Sequence, residues 1–102
     1  MNRKTQFFIH LNIKTVKGPE TFGKFHVGDN RERAYQIFSL LLGDQLVNEN
    51  NVLFLDLMEI KNGLPVNLNM ISCTLDQLAQ NCKTVTRELF KLSNLEAATD
   101  AN

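Results

Sequence analysis

The chain has 102 residues, enough for one domain around a single core and too few for two. Its 11 basic and 11 acidic side chains cancel to a formal net charge of zero. That balance argues against a nucleic-acid binder held mainly by phosphate contacts, which would normally show a clustered positive excess, and leaves room only for a small local basic patch.

Thr5 to Val16 alternates, with Phe7, Ile9, Leu11 and Ile13 on one side and Phe8, His10, Asn12 and Lys14 on the other. This period of two predicts a half-buried strand, and its polar members interrupt the apolar opening well short of a signal peptide. Lys17-Gly18-Pro19-Glu20 carries turn chemistry, and Thr21 to Val27 resumes the alternation. In that second strand Phe25 and Val27 face the core while Phe22, Lys24 and His26 face away. Asp29 with Glu32 has the spacing of a capping box, Ala34, Ile37, Phe38, Leu41 and Leu42 share one helical face, and Gly43 supplies a left-handed stop. Asp44 to Asn51 is a polar connection in which only Leu46 and Val47 are expected to tuck under the domain.

Val52 to Ile60 is the most apolar run, and Asn62-Gly63 just beyond it tolerates the positive φ of a two-residue hairpin turn. Counting outward from that turn pairs Leu57 with Leu68, Leu55 with Met70 and Leu53 with Ser72. Pro65 falls where its missing N–H would face a further strand, so Leu64 to Cys73 is an edge. Gly23 weakens the second strand, which leaves the first and third as the inner pair and gives the order 2-1-3-4, all antiparallel. Thr74 with Gln77 repeats the capping box, and Leu75, Leu78, Cys82, Val85, Leu89 and Leu92 recur at spacings of three and four. They mark an amphipathic helix of about five turns, whose pattern also fits a short coiled-coil seam but whose natural partner is the sheet. Residues 1–94 form the domain, and Leu95 to Asn102 reads as a frayed tail.

The predicted class is α+β, β-β-α-β-β-α, a four-stranded antiparallel sheet with two helices on one face. Those helices cover Phe7, Ile9, Leu11, Ile13, Phe25, Val27, Leu53, Leu55, Leu57, Val66, Leu68 and Met70. No segment remains for the opposite face, where Phe8, Phe22, Phe54, Met58 and Ile71 would each forgo about 1.5–3 kcal/mol in water. The expected outcome is a homodimer through that face, with Phe8, Phe54 and Ile71 central and Lys14, Lys24 and Asp56 toward the rim. A second reading has the face bind a small molecule or peptide, with His10, Asn12, His26, Asp56 and Asn69 as polar anchors on an aromatic platform.

An enzymatic reading would use His10 and His26, which share a face and lie opposite each other in one of two hairpin registers, with Asp56 as the nearest third group. The sequence assigns no catalytic residue, no metal and no cofactor. Cys82 reads as a small core residue, and Cys73 precedes a helix with no histidine near it in sequence. Two cysteines make no disulfide framework, and no run reaches the roughly 20 apolar residues of a membrane span. The chain therefore reads as a cytoplasmic binding or assembly module that engages neither membrane nor nucleic acid.

Overall fold

The computed structural model describes the backbone of residues 5–45 and 50–101 and the side chains of 5–45 and 50–91. Its elements are β1 (Thr5–Thr15), β2 (Gly18–Gly28), α1 (Arg31–Ser39), β3 (Leu53–Lys61), β4 (Leu64–Cys73) and α2 (Leu75–Ala101). The strands form one antiparallel sheet in the order β2-β1-β3-β4, with the helices packed against it, as the sequence predicts.

Turn chemistry sets the two hairpins. Asn62 (φ 55) and Gly63 (φ 80) both occupy the left-handed region, and Lys61 faces Leu64 across them. That turn twists with the strands, so it holds the hairpin in register. Ile60 then faces Pro65 on an edge strand. The first hairpin is tighter than its sequence suggests, because Val16-Lys17 alone make the loop and Pro19 and Glu20 belong to β2. Thr15 closes it, its hydroxyl donating to the Gly18 carbonyl at 2.7 Å and accepting from the Lys17 N–H at 3.2 Å.

Beyond Met58, β4 departs from the expected pairing. Asn67 faces Met58, but Asn69 faces Leu57, and Leu55 and Leu53 face Ile71 and Cys73. Leu68 is the extra residue of a β-bulge, and a bulge inverts the facing of every residue beyond it. Ile71 is therefore 6% exposed in the core, whereas Met70, expected there, is 38% exposed. Val66, also expected in the core, lies three pairs from the Asn62-Gly63 turn, beyond the cover of the helices, and stays exposed. β2 is irregular twice, with Val27 and Phe22 as its extra residues.

The core gathers Phe7, Ile9, Leu11, Leu55, Leu57 and Ile71 from the sheet under Ala34, Ile37 and Phe38 of α1 and Leu78 and Val85 of α2. α1 starts one residue later than predicted, since Asn30 is its cap and accepts the Arg33 N–H at 2.9 Å. It also ends sooner, at Ser39, in a tightened turn where Leu40 and Leu41 bond back to the carbonyls of Ile37 and Phe38. Asn81, 1% exposed on α2, then seizes the departing chain: its amide accepts the Leu42 N–H at 2.7 Å and donates to the Leu42 carbonyl at 2.8 Å. Leu42 itself is exposed.

α2 opens with the predicted reciprocal cap, the Thr74 N–H on Gln77 Oε1 at 2.9 Å and the Gln77 N–H on Thr74 Oγ1 at 3.1 Å. It continues past Leu95 to Ala101, through residues of good helix propensity. Leu46, Val47 and the side chain of Leu92 lie outside the described residues.

Gly43 does not end the helix in a left-handed turn, for its φ is not positive. It is needed because the chain there runs against β4, where a Cβ would stand 2.5 Å from the Ser72 carbonyl oxygen. The neighbouring Asp44 and Ser72 exchange two backbone bonds of 2.8 Å each. Gly43→Ala should therefore cost about 1–3 kcal/mol as overpacking does elsewhere, read as a lower urea midpoint with faster hydrogen exchange at the Ser72 amide.

Candidate functional site

With both helices on one side, the other side of the sheet presents the alternate residues of the four strands. The inner strands supply its centre: Phe8 faces Met58, His10 faces Asp56 and Asn12 faces Phe54. β2 adds His26 beside Phe8, Lys24 beside His10 and Thr21 beside Asn12. From β4 come Asn67 beside Met58, Met70 beside Asp56 and Ser72 beside Phe54.

A polar chain crosses this surface. Thr21 Oγ1 donates to Asn12 Oδ1 at 2.5 Å, and Asn12 Nδ2 donates to Asp56 Oδ2 at 2.8 Å. Asn12 is 8% exposed, so these bonds are what makes its burial tolerable. The other carboxylate oxygen, Oδ1, and the Nε2 of His10 opposite are shielded and make no hydrogen bond. Asp56 thus occupies the middle of the face and not the expected rim, because β3 is an inner strand. Beside it, Asn12, Pro19, Phe54, Asp56 and Met70 line a shallow depression of about 250 Å³.

Burial moves both central titrating groups toward their neutral forms. It lowers the His10 pKa from 6.5, with Lys24 adding to the effect and Asp56 opposing it. It raises the Asp56 pKa from 3.8, against which the Asn12 hydrogen bond, His10 and Asn67 pull in that order. The Asn67 amide nonetheless donates to Met58 Sδ, at 3.5 Å, so its influence on Asp56 is secondary.

The sign of the pH effect follows. An unfolded chain protonates His10 near 6.5 and the fold does so only at lower pH, so between those values acid favours unfolding. Asp56 acts the other way, adding stability as the pH falls through its raised value toward 3.8. His10→Gln should flatten the first slope. Urea midpoints taken from pH 7.5 down through the His10 transition should fall for the native protein and hold more nearly level for the variant.

Of the residues singled out from the sequence, His10, Asn12 and Asp56 come together. His26 does not face His10; it pairs with Phe8 on the edge strand, and the two imidazoles pack on the Phe8 ring at centroid distances of 6.3 Å for His10 and 4.9 Å for His26. Phe8, Phe54 and Met58 are half-buried on the open face, while Phe22, the extra residue of a bulge, is exposed. Asn69 and Ile71 leave this face altogether, because the bulge at Leu68 turns them to the helix side. Thr21 and Met70 take part here without having been expected, their facing set by the same irregularities. Gly23, next to Phe22, was the only residue signal of a break in β2.

Among the described residues no three of His, Cys, Asp and Glu come together as a metal set. Burial pushes the thiols of Cys73 and Cys82 up, away from reactive thiolate, and Cys82 adds to the effect on Cys73. Among the described residues no helix is long and apolar enough to cross a membrane. Set against protein-family models, curated proteins and solved structures, the chain matches none of them.

Proposed function

We propose that this protein is a small binding and assembly module that pairs with a second copy of itself through the open face of its sheet. The carrying observation is the one-sided cover: α1 and α2 shield one face, while Phe8, Phe54, Met58, Ile60 and Met70 are left on the other. Four strands about 4.8 Å apart, each neighbouring pair matched over nine positions at about 3.3 Å, give a patch of roughly 570 Å² in projection. That is somewhat below the roughly 800 Å² per partner of a standard interface. A two-fold copy would stack aromatic and sulfur-bearing side chains at the centre, with Lys14 and Lys24 nearer the margins. Asp56 lies within that patch, so pairing adds to the desolvation its half-buried carboxylate already bears unless the partner supplies a donor.

The second reading is a small-molecule or peptide site in the Asp56 depression, favoured by its mix of Phe54, Pro19 and Met70 walls with one carboxylate. Equilibrium sedimentation separates the two. A dimer at micromolar concentration supports the first; a monomer at every concentration up to the millimolar range would sink it. The cytoplasm is the proposed compartment, supported by two free thiols.

A further inference from the structure

The bulge that removes Asn69 from the open face delivers it to a hollow on the helix side. Tyr35, Phe38 and Ser39 of α1's last turns, Asn69 and Ile71 of β4, and Gln45 of the connection line about 270 Å³ there. The hollow exists because α1 stops at Ser39 and the chain is then pulled aside, held by Asn81 at Leu42 and pressed against Ser72 at Gly43. In an unbulged β4, Leu68 would face Leu57 and an aliphatic side chain would occupy the place now held by an amide. Bulges recur beside binding sites because they re-aim a side chain in this way.

We propose that this hollow binds a neutral, single-ring molecule with hydrogen-bonding groups around its edge, a monosaccharide or a free nucleobase. Its floor is apolar, Phe38 and Ile71 being 4% and 6% exposed, and Tyr35 at 39% exposure offers a flat face beside it. The lining residues also include two that carry hydroxyls, Tyr35 and Ser39, and two that carry amides, Gln45 and Asn69. Asn69 Oδ1 already accepts the Met70 N–H at 2.8 Å, which leaves its NH₂ to donate. Ser39 Oγ already donates to the Gln36 carbonyl at 2.6 Å, which leaves its lone pairs to accept.

No ionised side chain among the described residues lines the hollow. Among the described residues an anion or an amine would find no counter-charge, and a purely apolar guest would strip water from four polar groups without replacing its bonds. A volume just under the roughly 300–1,000 Å³ of drug-sized sites admits one ring. The site lies across the sheet from the open face, so it stands or falls independently of self-association.

The test is a titration of the full, isotope-labelled chain with glucose, N-acetylglucosamine, uracil and adenine, with benzoate and phenethylamine as charged rings of like size. Saturable amide shifts at Tyr35, Ser39, Gln45 and Asn69 with a neutral member, and none with the charged pair, are expected; sugar or base response names the source. Asn69→Leu should weaken that binding by about tenfold or more, the worth of one lost hydrogen bond, with the melting temperature unchanged or higher. A lowered melting temperature with undiminished binding would make Asn69 a support of the bulge alone and overturn its role. Should Asn69→Leu fail to fold, Ser39→Ala decides: weaker binding supports the site, unchanged binding refutes it. Silence from all four neutral probes, or equal shifts from the charged rings, overturns the proposal.

Discussion

Phe54→Glu is expected to abolish self-association while leaving the folded chain intact. Phe54 stands on an inner strand between Asn12 and Ser72, half-buried on the face opposite α1 and α2. A phenylalanine withdrawn from water contributes about 2 kcal/mol. A two-fold interface loses it twice, so about 4 kcal/mol disappears, close to a 1,000-fold rise in the dissociation constant. The new carboxylate also falls on the same face as Asp56, two residues along β3, and like charges brought together under a partner add to the loss. Sedimentation velocity should show the proposed dimer replaced by a monomer, and circular dichroism should remain that of the parent. Leu40→Glu is the control: Leu40 is 51% exposed just beyond α1, away from the open face, and its replacement should leave the dimer unchanged. Equal disruption by both variants would place the contact elsewhere.

Ile71→Ala is expected to cost about 2–5 kcal/mol and Met70→Ala under about 1 kcal/mol when the chain is monomeric. Ile71 faces Leu55 and lies 6% exposed among core residues, so truncation leaves a cavity that rigid neighbours fill poorly. Met70 faces Asp56 on the open side at 38% exposure, where solvent fills any gap. An unbulged β4 would reverse the ranking, since Met70 would then lie against Leu55. Urea denaturation of the two variants in the Phe54→Glu background reads the register of β4 without interference from association.

Local chemistry made much of this fold legible. Asn62-Gly63 could only mark a turn of positive φ, Thr74 and Gln77 only a reciprocal cap, and Pro65 only an edge strand, because each residue type satisfies a backbone requirement at its own position. Alternation in β1 and β3 has the same directness, and it placed Phe8, His10, Asn12, Phe54, Asp56 and Met58 on the correct side. The bulges were not legible. A single extra residue leaves composition and local periodicity almost unchanged, yet it moved Asn69 and Ile71 to the helices and brought Thr21 and Met70 into view. The pull of Asn81 on Leu42 was equally hidden, since it joins positions 39 residues apart that no pattern relates.

The margins of the sheet have a further effect, on what the chain does at high concentration. Along β2 the spacing of outward-facing backbone groups is interrupted by Pro19 and at Phe22 and Val27; along β4 it is interrupted by Pro65 and Leu68, and Asp44 already occupies Ser72. An incoming strand would lose phase within three or four residues on either border, so end-on stacking into fibrils has no continuous template to copy. Thioflavin fluorescence should therefore stay flat even in concentrated solutions of the native chain.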